Sequence, residues 1–166
     1  MLYNMNETNL YYTLRKLPEA VAVMEGAGEG SQIGGTVKFY QAMKGVLVVA
    51  DISGLPSVKG ACENRFFGFH IHDGNSCSGN REDPFANAGM HYNPESCPHP
   101  YHAGDMPSLL GVNGQALLAF LTDRFKINEV IGKTVIVHDK PDDYTTQPSG
   151  NTGNKIACGV IMRVKR

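Results

Sequence analysis

The chain has 166 residues, enough for one domain with its own core, and 42% hydrophobic with 19% charged residues is ordinary globular composition. Fifteen basic against sixteen acidic residues give a formal net charge of -1 without any basic run, which argues against a nucleic-acid partner. No stretch approaches the roughly 18 apolar residues of a membrane-spanning helix, so no membrane partner is expected.

Residues 1–17 lack a strand pattern and are expected to form an extension, flexible or partner-contacting, ahead of a domain covering 18–166. The first residues show no basic start followed by an apolar run. The expected location is therefore cytoplasmic, with secretion or the cell surface as the alternative if a leader has been trimmed. Short runs rich in β-branched or aromatic residues follow at 20–24, 35–40, 46–52, 66–72, 116–121, 133–138 and 159–164, each bounded by Gly, Pro, Asn or Asp. No window carries the 3.6-residue period of a substantial helix. Nineteen glycines and nine prolines fit many turns, and the class is all-β, a sandwich or barrel. Two long loops interrupt the pattern, from Asp73 to about Leu110 and from Asp139 to about Lys155. Loops of this length are uncommon in compact domains and are usually functional.

All six histidines fall at or between these features. His70 and His72 are two apart on a strand and therefore share a face. His91, His99, His102 and Asp105 follow in the first loop, and His138 closes a later strand. Imidazole is the commonest protein ligand for copper and zinc, and a carboxylate oxygen is acceptable to zinc. A lone histidine is more often structural than ligating, but independent structural histidines have no reason to gather at two strand ends and one loop. A single zinc on His99, His102, Asp105 and Cys97 would leave His70, His72 and His138 without a role. The donors exceed what one tetrahedral ion uses, so two metals are expected. Pro94, Pro98 and Pro100 would stiffen the loop into a fixed cage.

Gly68-Phe69-His70-Ile71-His72, Gly89-Met90-His91-Tyr92-Asn93-Pro94, His102-Ala103-Gly104-Asp105, Val137-His138-Asp139 and Ala157-Cys158-Gly159-Val160-Ile161 resemble the copper/zinc superoxide dismutase family over residues 18–166. The resemblance implies an eight-stranded Greek-key β-barrel or sandwich with two long functional loops. It implies copper ligands His70, His72, His91 and His138, and zinc ligands His91, His99, His102 and Asp105, with His91 shared. Asp142 matches an outer carboxylate expected to link His70 and His99 by hydrogen bonds. The implied activity converts superoxide to dioxygen and hydrogen peroxide as copper cycles between Cu(II) and Cu(I), with His91 carrying a proton. A copper-binding or copper-delivery protein on the same fold is the alternative. Family members are mostly dimers, which leaves a homodimer as an open expectation.

Four cysteines allow three pairings, which sequence alone does not choose between. The resemblance pairs Cys77 with Cys158, leaving Cys62 and Cys97 free or bridged to each other rather than ligating zinc. The family usually has an arginine three residues before the second of these cysteines, where this chain has Lys155. Lysine keeps the charge but loses the planar fork, so reduced rate or altered anion affinity is expected. A positive rim around the copper channel is part of the same expectation.

Overall fold

Alternation of core-facing and outward residues organises the chain into strands. In β1, Ala20–Gly26, the residues Ala20, Ala22 and Met24 are buried while Val23 is exposed. β2, Gly34–Ala42, buries Val37 and Phe39, and β3, Gly45–Ser53, buries Val46, Val48, Ala50 and Ile52. Burying each such large side chain contributes about 1.5–3 kcal/mol. The computed structural model describes residues 10–57, 60 and 65–165. One short helix, α1, spans Leu10–Leu14, and residues 1–9 of the expected extension lie outside the described residues.

The remaining strands are β4, Phe66–Phe67; β5, Phe69–His72; β6, Leu109–Leu110; β7, Gln115–Thr122; β8, Thr134–His138; and β9, Lys155–Arg163. A four-residue helix, α2, spans Ile127–Val130. Seven strands form one antiparallel sheet in the order β5-β8-β9-β1-β2-β3-β7, curled around the apolar core as a half-barrel. β4 and β6 form a separate two-stranded ladder and lead along the chain into the two edge strands, β5 and β7. The class is all-β, as the strand pattern predicts. The described residues carry nine strand segments rather than eight.

Part of that difference comes from Gly68, which divides the 66–72 run into β4 and β5. Its amide donates to Lys140 O at 2.7 Å and its carbonyl accepts from His138 N at 2.8 Å, so the chain there serves the second loop. A Cβ at Gly68 would stand 2.7 Å from Thr152 Cγ2, closer than side-chain carbons approach.

Two irregularities bring the histidines together. Between Val137 and His138 the register against β9 shifts, so His138 faces Lys155 and Ile156 is the extra residue of a bulge. β5 is a sheet edge, and the first loop covers it. Ile71 N donates to Gly104 O at 2.9 Å and Tyr92 N to Ile71 O at 2.8 Å, which brings His91 opposite His72 and Asp105 opposite His70. The edge is thereby protected from pairing with another chain. No helix among the described residues is long and apolar enough to cross a membrane.

Candidate metal centre

Phe69 and Ile71 of β5 turn into the core, which leaves His70 and His72 on the opposite face, covered by the first loop. β8 pairs alongside, and His138 at its end brings its Nε2 to 3.3 Å from His72 Nε2. The ligand-capable atoms of His70, His72, His91 and His138 lie within 4.8 Å of one another. Those of His91, His99, His102 and Asp105 form a second group within the same distance, and every member of both groups is buried. His91 belongs to both.

The hydrogen bonds fix which nitrogen each ring turns inward. His70 Nε2–H donates to Asp142 Oδ2 at 2.7 Å, leaving Nδ1 as a lone pair. His72 Nδ1–H donates to Gly89 O at 2.9 Å, leaving Nε2. His99 Nε2–H donates to Asp142 Oδ1 at 2.9 Å, so its Nδ1 turns to Asp105 Oδ2 at 3.0 Å. Asp142 therefore stands between one member of each group. His70 Nδ1, His91 Nε2 and His99 Nδ1 are buried atoms without a hydrogen-bond partner. A buried lone pair without a partner is costly, and a metal ion would satisfy it.

Ligand spacing supports the same conclusion. His91 Nδ1 lies 2.7 Å and His102 Nδ1 3.3 Å from Asp105 Oδ1, and the two nitrogens are 3.4 Å apart. A tetrahedral zinc with bonds near 2.0–2.1 Å keeps its ligand atoms about 3.3 Å apart. Three imidazoles and a carboxylate suit zinc, and four imidazoles suit copper. The residues present fit both ions.

Electrostatics keep these donors ready. Burial lowers the pKa of His70 to about 4, and burial and the neighbouring imidazoles hold His72 and His138 well below 6.5. Burial pushes Asp142 upward, but hydrogen bonds from His70, Tyr144 N and His99 outweigh it and keep the group below the ordinary carboxylate value. Asp105 is held low in the same way by His91, His99 and His102 against the opposing effect of burial.

The first loop is braced from outside. Asn93 brackets Cys97, with Nδ2 donating to its carbonyl at 2.8 Å and Oδ1 accepting its N–H at 2.9 Å. Arg124 Nη1 donates to Pro100 O at 2.9 Å and His102 O at 3.3 Å. Gln147, from the second loop, bonds the His99 main chain through both ends of its amide. Gln147 and Arg124 escape a sequence reading, because neither stands in a ligand-spaced motif.

Cys77 and Cys158 are joined, with Cα atoms 5.6 Å apart. Cys97 is a half-buried free thiol in neither donor group, and Cys62 lies outside the described residues. Lys155 lines a cleft that opens on His72, His91 and His138. Its Nζ is paired with Asp83, and Glu82 lines the same cleft, so the cleft wall is not simply positive.

Residues 33–161 match the family model of copper/zinc superoxide dismutase. The chain is 33% identical over 148 residues to superoxide dismutase (Cu-Zn) 2 of Aquifex aeolicus, covering 80% of this chain and 81% of that protein. It is 36% identical over 139 residues to superoxide dismutase (Cu-Zn) of Legionella pneumophila, 76% of each. It is also 29% identical over 164 residues to the copper chaperone for superoxide dismutase of Rattus norvegicus, covering 90% of this chain and 55% of that protein.

Proposed function

This chain belongs to the copper/zinc superoxide dismutase family, and we propose that it converts superoxide to dioxygen and hydrogen peroxide. In this reading residues 18–166 are the catalytic domain and residues 1–17 an appended extension. His70, His72, His91 and His138 hold copper, and His91, His99, His102 and Asp105 hold zinc.

The observation that carries the reading is the double membership of His91. Its Nδ1 faces Asp105 at 2.7 Å while its Nε2 is buried without a hydrogen-bond partner beside the other histidines. In this reading one imidazole serves two ions. Bound copper supplies the one-electron couple by which one superoxide is oxidised to dioxygen and a second is reduced to peroxide. The reduction consumes two protons. His91 Nε2 holds one of them between the two half-reactions and solvent provides the other. Asp142 keeps His70 and His99 in the orientation that leaves their free nitrogens inward. Burial keeps His70, His72 and His138 unprotonated at neutral pH, so their lone pairs remain available. Lys155, at the cleft, is the cation that meets the incoming anion.

Copper delivery is the competing reading, and the relative named a copper chaperone is what favours it. Both complete donor groups favour the enzyme. Stopped-flow decay of superoxide, with protein holding one equivalent each of copper and zinc, separates the two. Decay far above the buffer rate is expected. Absence of decay with copper confirmed bound would overturn the dismutase reading.

A further inference from the structure

The cleft over His72, His91 and His138 encloses about 220 Å³. Among its described lining residues Lys155 is the one lysine or arginine, and Glu82 and Asp83 are carboxylates. Lys155 Nζ lies 2.5 Å from Asp83 Oδ2, and the lysine side chain is only 16% exposed. The ammonium is enclosed while the Asp83 side chain is 39% exposed, so water screens the pair mainly from the carboxylate side and the close partner still lowers the field of the lysine.

Asp83 is itself fixed. Its second oxygen, Oδ1, accepts Phe85 N–H at 3.0 Å, and its own N–H donates to Asn80 Oδ1 at 2.9 Å. Its carbonyl accepts from Asn80 N at 2.9 Å and Ala86 N at 3.1 Å. Phe85 and Ala88 pack with Ile136 and Cys158 in a small apolar cluster beside the disulfide. The carboxylate therefore stands on a rigid turn, with one oxygen committed to that turn and one to the lysine. Across the bulge, Lys155 sits opposite His138. The one lysine or arginine among the described lining residues is thus paired with a carboxylate fixed on that turn.

We propose that Asp83 sets the anion affinity of this cleft, holding Lys155 at its mouth and cancelling most of its charge. The inference rests on the dismutase reading only in taking the occupant to be a small anion, and azide serves as that anion without turnover.

The test uses copper- and zinc-loaded protein in four forms: unmodified, Asp83→Asn, Lys155→Met and the double variant. Asparagine can still accept the Phe85 N–H, so the turn is retained while the charge is lost. Azide binding is followed by visible absorption at low and high salt. Asp83→Asn is expected to bind azide about tenfold more tightly at low salt, the lower end of what a field at a charged cleft does to local anion concentration. The gain should shrink at high salt and vanish in the Lys155→Met background. Unchanged or weaker azide binding by Asp83→Asn would overturn the proposal, as would an equal gain with and without Lys155. Superoxide decay on the same samples separates the two ideas. The expected azide pattern without decay sinks the dismutase reading alone, whereas decay with azide affinity indifferent to Asp83 sinks this proposal alone.

Discussion

The amide of Gln147 pairs with the main chain of His99 at both ends: Nε2–H donates to the His99 carbonyl at 2.6 Å and Oε1 accepts the His99 N–H at 2.9 Å. These residues are 48 apart in sequence, so this amide fastens the second loop to the first. It also holds His99 where Nδ1 faces Asp105 and Nε2 faces Asp142. Gln147→Ala should weaken zinc binding by about tenfold, the lower end of what outer contacts contribute to a metal site. Copper affinity should change less. Chelator competition for each metal checks this, and equal losses for both would show general loosening rather than positioning of His99.

Gly150 has φ of +69°, and a Cβ there would lie 2.0 Å from Asp142 Oδ1 and 2.8 Å from His99 Nε2. Backbone strain and collision act together on the carboxylate that His70 and His99 share. Gly150→Ala should cost at least about 1–3 kcal/mol in denaturant unfolding of the metal-free protein. It should also release zinc more readily. A midpoint within error of the parent would show that Asp142 can move aside freely.

The metal-free protein should lose stability on mild acidification. An unfolded chain protonates His70, His72 and His138 near pH 6.5, whereas the folded protein keeps them neutral until much lower pH, about 4 for His70. Between those values the unfolded state binds more protons, so stability falls with falling pH by about 1.4 kcal/mol per unit for each such group. Asp105 and Asp142, held below their ordinary value, add to the loss below about pH 4. Thermal melts of metal-free protein at pH 7.5, 6 and 5 should step downward. A flat series would mean that these imidazoles are not held neutral.

Cys77 and Cys158 close a loop of 81 residues. In the chain-entropy model such a bridge contributes about 4–5 kcal/mol by restricting the unfolded chain. The Cys77→Ser protein should show a loss of that order in unfolding free energy. The bridge also flanks the turn that carries Asp83, so salt should affect azide binding differently in this variant. Unchanged stability would mean that the turn is held by Phe85 and Ala88 alone.

Strand class and the composition of the donor set are legible in the linear chain. Strand periodicity is local covalent geometry: residues two apart on an extended chain share a face, so His70 and His72 were bound to lie together. The six histidines with Asp105 limited the chemistry to metals whatever the packing. Short ladders were less legible. β6 is two residues inside a stretch that reads as loop, and the break at Gly68 answers to Thr152, 84 positions away.

The family resemblance implies the division of the donors into two groups and the place of Asp142, but how the chain assembles them, and the contacts that brace them, came from packing. His91 belongs to both groups because the first loop lies on the open edge of β5, a contact made by main-chain groups without a sequence signature. Lys155 reads from sequence as a bare charge, and the folded chain gives it Asp83, 72 residues away, as partner. Gln147, Gly150 and Asp83 carry no mark of such roles in a linear pattern. Their effect depends on which groups lie within about 3 Å, and that distance is set by how two long loops pack against one sheet.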